Sequence, residues 1–282
     1  MILANHHAHT NFSDGRGGPE DYISEALRQG LVAYGFSDHA PIPHNRIGIM
    51  TNAELEKYGT FIDDLKIVYA NRIQIHKSLE VDYIPGVIDM DSPHIKAANL
   101  DYLIGAVHYV DYLADGTPWG YEATDERFQR GIKEAFAGDV QAAVTRYYAL
   151  IREMLSNFQL DVVAHIDRIK KRNFGNRYWD ESAKWYQHQV LETLEAVKAA
   201  GCVMEINTKG YYKGEIEETY PGKWALARAL ELGIPVHLSS DAHDPQYITG
   251  GFDFGYTQLK DIGYESIRLF LNGEWQDVEL VG

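Results

Sequence analysis

At three places in this chain a helix-like stretch stops at a glycine, and an apolar run begins within about two residues. The three are EALRQG-LVAYGFSDH at Gly30, AVKAAG-CVMEIN at Gly201 and ALELG-IPVHLSSDAH at Gly233. Glycine tolerates the left-handed conformation that ends a helix, and a short turn then delivers a strand. Alternation of this kind restricts the chain to parallel β-α units and hence to the α/β class.

Extending the pattern predicts about seven strands, over residues 2–7, 32–37, 74–80, 102–107, 161–165, 203–207 and 236–240. They are short and rich in Val, Ile, Leu and Tyr, as strands covered by helices should be. Helices are expected over 19–29, 53–70, 139–158, 180–200 and 222–232, the first with Pro19 in its opening turn. The stretches 109–125, 170–180 and 208–222 read as irregular. No Ser- or Pro-rich linker interrupts the sequence, so residues 1–282 read as a single domain.

Charge narrows the partners. The 26 Lys and Arg against 41 Asp and Glu leave a net charge of −15. That balance opposes nucleic acid, whose affinity comes from cations neutralising phosphates; a small anionic substrate in a locally positive site stays compatible with it. The one cysteine, Cys202, excludes an internal disulfide and fits a reducing compartment. MILANHHAHT has no basic region followed by an apolar run, and no stretch approaches the roughly 18 apolar residues of a membrane span. A cytoplasmic protein with no membrane partner is therefore expected.

The histidines carry the chemistry. Of twelve, six fall at predicted strand ends: His7 and His9, His39, His108, His165 and His243. Asp38, Glu80 and Asp241 lie beside them. In a parallel barrel these ends share one mouth, where ligands bind. Imidazole and carboxylate are the donors that Zn, Mn and Fe accept. Residues i and i+2 of a strand face the same side, so His7 and His9 can hold one ion. Asp241 and His243 can do likewise or reach two adjacent ions, and Glu80 can bridge a pair. Nine candidate ligands exceed one coordination sphere and imply two or three divalent ions. The remaining histidines, His6, His44, His76, His94, His188 and His237, read as surface or core residues.

The motifs H-A-H-T with a later S-D-G (7–15), S-D-H (37–39), S-L-E-V-D (78–82), G-A-V-H (105–108), A-H-I-D (164–167) and S-S-D-A-H (239–243) resemble those of the polymerase-and-histidinol-phosphatase (PHP) superfamily. The resemblance spans nearly the whole chain. It implies a distorted (β/α)7 TIM-like barrel with a two- or three-metal centre at the C-terminal strand ends. It further implies a first ion on His7, His9, Glu80 and Asp241, a second on Glu80, His108 and His165, and a third on Asp14, His39 and His243. Within the superfamily the chain is most similar to the stand-alone histidinol-phosphate phosphatases of histidine biosynthesis, through S-D-H-A-P-I-P (37–43), A-H-I-D-R-I-K-K-R-N-F-G (164–175), E-I-N-T-K-G (205–210) and E-T-Y-P (218–221). Two positions depart from that group. Asp14 stands where many carry a histidine, and Tyr211-Tyr212-Lys213 stands where an arginine tends to follow the N-T-x-G turn.

The expected activity is metal-dependent hydrolysis of a phosphomonoester, L-histidinol phosphate first among them, by a hydroxide shared between the ions. Two metals lower the pKa of such a water and clamp the attacking and leaving oxygens. Glu80, Asp241 and His243 are the candidate catalytic groups, the last two for positioning water or protonating the leaving alkoxide. Arg16, Arg168, Lys171, Lys209 and Lys213 are candidates for the phosphate, with Lys209 first because it follows the one strand whose end, Asn207, offers no obvious ligand. Carboxylates and tyrosines of 109–125 and 211–220 would suit an amino-alcohol leaving group. The alternatives are another phosphomonoester, a phosphodiester or exonuclease substrate, a metal-binding module without activity, and an amidohydrolase; the net charge argues against the second, the filled ligand positions against the third, and the Glu80 position with the Asp241/His243 pair against the fourth.

Overall fold

The computed structural model describes residues 3–43, 48–122 and 124–280. The strands are β1 (Ala4–Asn5), β2 (Ala33–Phe36), β3 (Gln74–Lys77), β4 (Glu80–Asp82), β5 (Ile104–Ala106), β6 (Tyr109–Tyr112), β7 (Pro118–Gly120), β8 (Val162–Val163), β9 (Val203–Asn207), β10 (Val236–Ser239), β11 (Ser266–Leu271) and β12 (Glu274–Glu279). The helices are α1 (Pro19–Gln29), α2 (Asn52–Tyr69), α3 (Pro93–Ala97), α4 (Asp125–Phe136), α5 (Val140–Asn157), α6 (Lys184–Ala200), α7 (Lys209–Tyr212), α8 (Lys223–Leu232) and α9 (Phe252–Ile262).

Helices α1, α6 and α8 end on Gly30, Gly201 and Gly233, each left-handed with φ of 77°, 69° and 70°. The strand that follows each enters a parallel sheet, which confirms the α/β class. One sheet runs β1-β2-β3 and the other β10-β9-β8-β5-β4, with every pair parallel. Beyond the strands proper, Ala8 after β1 bridges Ala242 after β10, and His39 after β2 bridges Glu80 of β4, so the two sheets touch in two places.

Three expectations need correction. The predicted strand 74–80 is two strands, broken at Ser78-Leu79, and Glu80 opens β4 rather than closing β3. The stretch 109–125 is not one loop; β6 and β7 form an antiparallel hairpin there. The stretches 170–180 and 208–222 are irregular as expected, apart from a short 3-10 segment at Arg168–Asn173 and α7. Finally, β11 and β12 form a C-terminal hairpin, and α4 and α9 are helices in segments left unassigned.

Strand alternation divides the interior. Gly105 of β5 faces outward, where an added Cβ would meet Met90, Met154 and Leu160. Ile104, Ala106, Val162, Ala164 and Val203 face inward and form a separate cluster with Tyr102 and Phe270. The outer face takes the buried stripes of the helices, such as Tyr147, Ile151 and Met154 of α5 and Val190, Leu194 and Val197 of α6. Each Val, Leu, Ile or Met among them contributes roughly 1.5–3 kcal/mol by leaving water.

The C-terminal hairpin covers the end of the inner cluster. Phe270 donates its backbone N–H to His6 Nε2 at 3.2 Å, and His237 Nδ1 donates to the Arg268 carbonyl at 3.2 Å. His6, His76 and His237 are buried there beside Trp275, in the core role expected of them. His188 is exposed near Glu192, and His94 is half-buried against the Pro41 carbonyl. His44 lies outside the described residues.

Candidate metal centre

Five imidazoles surround one buried carboxylate. Glu80 Oε1 lies 3.0 Å from His165 Nε2 and 3.6 Å from His108 Nε2. Its Oε2 lies 3.1 Å from His39 Nδ1, 3.5 Å from His9 Nε2 and 3.6 Å from His7 Nε2. Each ring comes from a different strand end except His7 and His9, which share β1's end as the period of two requires. Asp241 closes the group from β10, with Oδ1 3.3 Å from His9 Nε2 and 3.3 Å from His243 Nδ1.

Asp14 reaches the same place from a loop. Its Oδ1 lies 3.1 Å from His243 Nε2 and 3.8 Å from both His9 Nδ1 and His39 Nε2. Two features hold that loop. Asp38 accepts from the Thr10 backbone N–H at 2.7 Å and from the Ser13 hydroxyl at 2.7 Å, which makes it an anchor rather than a ligand. Gly15 presses on the His9 backbone so closely that a Cβ would stand 1.9 Å from the His9 carbonyl oxygen. Only glycine fits beside Asp14.

Two of the candidate ligands depend on strained backbone. His165 and Asp241 both have positive φ, 21° and 47°, a conformation that costs of order 1–3 kcal/mol in a residue with a side chain. Alternation would send His165 outward, because Val162 and Ala164 face in while Val163 belongs to the outer core. The turned backbone at His165 breaks that alternation, and its ring joins the inner face.

The electrostatics reflect carboxylates and imidazoles crowded away from water. Burial opposes charge on Glu80, but His108, His7 and His39 outweigh it and hold the carboxyl well below its ordinary range. Burial likewise disfavours protonated His7 and His108, yet the carboxylates around them prevail. Glu205, Glu80 and Asp241 push His7 well above its usual value, and Asp82 and Glu80 push His108 up to about 10. For His9 burial wins, helped by His243 and His39, and its pKa falls.

Three sets of side chains have donor atoms mutually within 4.8 Å: His9, Asp14, His39 and His243; His7, His9 and Asp241; and His39, Glu80 and His108. This donor chemistry fits divalent metal ions. Buried Nδ1 atoms of His9 and His165 make no hydrogen bond, and His7 Nε2 and His9 Nε2 stand 3.1 Å apart, as two donors to one ion would. All nine candidate ligands lie in this one cluster. The sets differ in detail from those the resemblance implies: His39 accompanies Glu80 and His108 in place of His165.

The basic candidates separate. Arg168 is buried, with Nη1 2.6 Å from Asp241 Oδ2 and its other nitrogens on Glu122. Lys209 Nζ lies 3.1 Å from Asp241 Oδ1 and 3.1 Å from His243 Nδ1. Lys171 pairs with Glu215 at 3.0 Å. Lys213 lies over the Tyr247 ring, 4.4 Å from its centroid, and Arg16 is exposed, bonded to His243 through its backbone N–H alone among its described contacts. The tyrosines of 211–220 and 247–256 stack on neighbours, Tyr212 on Tyr247 at 5.0 Å and Tyr211 on Phe254 at 3.8 Å. A cavity of about 240 Å³ opens beside the cluster, lined by Asp14, His39, Asp82, His108, Tyr109 and Glu122 among others.

Three further carboxylates at the cluster are not singled out by the sequence reading. Glu205 and Asp82 bond the rings of His7 and His108, at 2.5 Å and 2.8 Å. Both carry a signal, since each lies two residues from a residue at the site, Asn207 and Glu80, and so faces the same side. Glu122 is covered only collectively, among the carboxylates of 109–125.

The PHP domain family model matches residues 5–209, more than half of the chain. The chain belongs to the PHP domain family. Among PHP relatives, the "Probable histidinol-phosphatase" of Deinococcus radiodurans is 28% identical over 268 residues, 94% of this chain and 95% of the relative. The histidinol-phosphatase of Bacillus subtilis is 27% identical over 233 residues, 79% of this chain and 85% of the relative. In three dimensions, this PHP chain is similar to the histidinol phosphate phosphatase of Lactococcus lactis, solved with Zn, L-histidinol and phosphate. That similarity has a TM-score of 0.71 at 20% identity and covers 97% of this chain and 98% of that one.

Proposed function

We propose that this PHP chain is a metal-dependent phosphomonoesterase that hydrolyses L-histidinol phosphate to L-histidinol and phosphate in histidine biosynthesis. The observation that carries the reading is the placement of two cations, Arg168 and Lys209, on Asp241 at the edge of the imidazoles around Glu80. A phosphomonoester needs both halves of that arrangement. The named relatives and the Lactococcus lactis structure point to the same substrate.

In this reading His7, His9, Asp14, His39, Glu80, His108, His165, Asp241 and His243 hold two or three divalent ions, Zn, Mn or Fe. Ions bound there supply Lewis-acid neutralisation of the phosphoryl oxygens and a water of lowered pKa. Arg168 and Lys209 bind the remaining phosphoryl oxygens through charge-assisted hydrogen bonds. Asp241 Oδ1 orients the attacking water. Asp241, which lies against His243 Nδ1, takes the proton that this water releases and passes it to the leaving alkoxide, so that ester and water become alcohol and phosphate. The leaving group's ammonium lies in the adjoining cavity, facing the carboxylates of Asp82 and Glu122.

The bridges between the two sheets at Ala8–Ala242 and His39–Glu80 support closure into a distorted (β/α)7 barrel, with β3 and β4 counting as one interrupted strand. The C-terminal hairpin packs through Phe270 into the inner cluster, which supports a single domain over 1–282. No helix among the described residues is long and apolar enough to cross a membrane. With the buried free thiol of Cys202 and the acidic surface, this favours a cytoplasmic enzyme acting on a small phosphorylated substrate, without a nucleic-acid or membrane partner.

A second reading, another phosphomonoester, draws on Lys213, which rests on Tyr247 and supplies no cation where an arginine would follow the N-T-x-G turn. Phosphate release from metal-reconstituted protein decides between them. The expected result is a rate on L-histidinol phosphate far above a panel of other monoesters and a bis-ester, abolished in His9→Ala and Glu80→Ala. Hydrolysis of other monoesters but not this one selects the second reading, and no metal-dependent hydrolysis of any ester rejects both.

A further inference from the structure

Two buried carboxylates touch the proposed ligands without belonging to any of the converging donor sets. Glu205, in the middle of β9, accepts from His7 Nδ1 through Oε1 at 2.5 Å. Its Oε2 accepts from the backbone N–H of His165 at 2.9 Å. Asp82, at the end of β4, does both things for one residue: its Oδ1 accepts from His108 Nδ1 at 2.8 Å and from the His108 backbone N–H at 3.1 Å. The same device occurs twice, on strands that are not neighbours.

Each contact has one consequence for the ring it holds. A neutral imidazole carries its proton on one nitrogen and a lone pair on the other. A carboxylate against Nδ1 keeps the proton there and leaves the lone pair on Nε2. In both rings Nε2 is the atom that faces Glu80, at 3.6 Å in each case. Glu205 cannot swing into the centre itself, because the Ser239 hydroxyl and the Asn207 amide also donate to it. It also holds the backbone of His165, the residue whose positive φ turns its ring inward.

We propose that Glu205 and Asp82 are positioning residues that fix the tautomer and orientation of His7 and His108, and thereby set the affinity of the centre for its ions. The inference rests on the metal-centre reading above. Carboxylates in this outer position make a ring nitrogen a better donor, and their loss typically weakens metal affinity about 10–100-fold.

The test uses Glu205→Gln and Asp82→Asn, which keep shape and remove charge. Full-length wild type and variants are stripped with a chelator, then titrated with zinc against a competing chromophoric chelator. The visible spectrum of the Co(II)-loaded proteins is recorded beside the unfolding midpoint of the metal-free forms. The expected result is about 10–100-fold weaker zinc binding in each variant, with shifted Co(II) bands and a metal-free midpoint close to wild type. A structural role gives the reverse: a lower midpoint, with zinc affinity per folded molecule and the Co(II) spectrum unchanged, and that outcome overturns the proposal. Should Glu205→Gln fail to fold, the less buried Asp82→Asn decides in the same way. Wild-type protein that takes up no zinc would remove the metal-centre reading itself, whereas wild-type affinity in folded variants removes only this inference.

Discussion

Lys209 Nζ and Asp241 Oδ1 stand 3.1 Å apart, joining the start of α7 to the residue that closes the metal cluster from β10. The ammonium is fixed at the edge of the imidazole group before any substrate arrives.

Lys209→Ala should therefore lower kcat/KM for a phosphomonoester by about 10–100-fold, since a hydrogen bond to a charged group is worth roughly 1.5–3 kcal/mol. Lys213→Ala, whose ammonium lies over Tyr247, should leave it unchanged. Steady-state kinetics on both variants check the pair. Equal effects would remove the assignment of Lys209.

Glu80 faces five imidazoles. Glu80→Gln should reduce phosphate release at least about 100-fold and lower the metal content of the purified protein, because a direct donor should matter no less than an outer partner. Elemental analysis beside the assay tests this, and full metal content with full activity would contradict it.

Gly15→Ala places a Cβ where the His9 carbonyl oxygen already sits. The loop must shift and carry Asp14 away from His243. The expected outcome is fewer bound ions per chain at a near-native circular dichroism spectrum, measured by zinc titration. Unaltered stoichiometry would show that the loop does not matter to the site.

His76 and His237 are buried with their pKa values pushed down to about 4, chiefly by desolvation. In the unfolded chain each titrates near 6.5. Between these values the unfolded state binds more protons, so stability is complete above about pH 6.5 and declines as pH falls towards 4. Each histidine accounts for about 2 kcal/mol by pH 5. Urea unfolding at pH 7.5 and 5 should show the decline, and His237→Leu should flatten it; an identical slope in the variant would count against this account.

Phe270 of the hairpin packs against His76 and Tyr102, with ring centroids 4.9 Å and 5.2 Å away. Phe270→Ala should cost about 3–5 kcal/mol in urea unfolding and leave metal content per folded chain unchanged. A small cost would mean that the hairpin is only loosely attached to the inner cluster.

The parallel frame and the ligands were legible because each depends on local chemistry. Gly30, Gly201 and Gly233 occupy left-handed C-terminal positions that favour glycine. His7 and His9 follow from the period of a strand. The C-terminal hairpin carries a signal too, since Asn272-Gly273 forms its two-residue turn with φ of 55° and 84°, but the charges of EWQDVE mask the strand that follows. Helix α4 is hidden for another reason: Gly131 interrupts it, and the glycine is there because Trp119 leaves no room, an added Cβ lying 2.0 Å from the indole. The inward turn of His165 is beyond any periodicity, because one backbone angle held by a distant carboxylate decides it.

The bridge between Ala8 and Ala242, reinforced by the His9 amide on the Ala242 carbonyl at 2.8 Å, fastens two distant parts of the chain together. His7 and His9 stand on one side of that seam, and Asp241 and His243 on the other. A chain cut anywhere before residue 241 would keep imidazoles without the carboxylate that closes them. The seam and the candidate metal centre therefore stand or fall together.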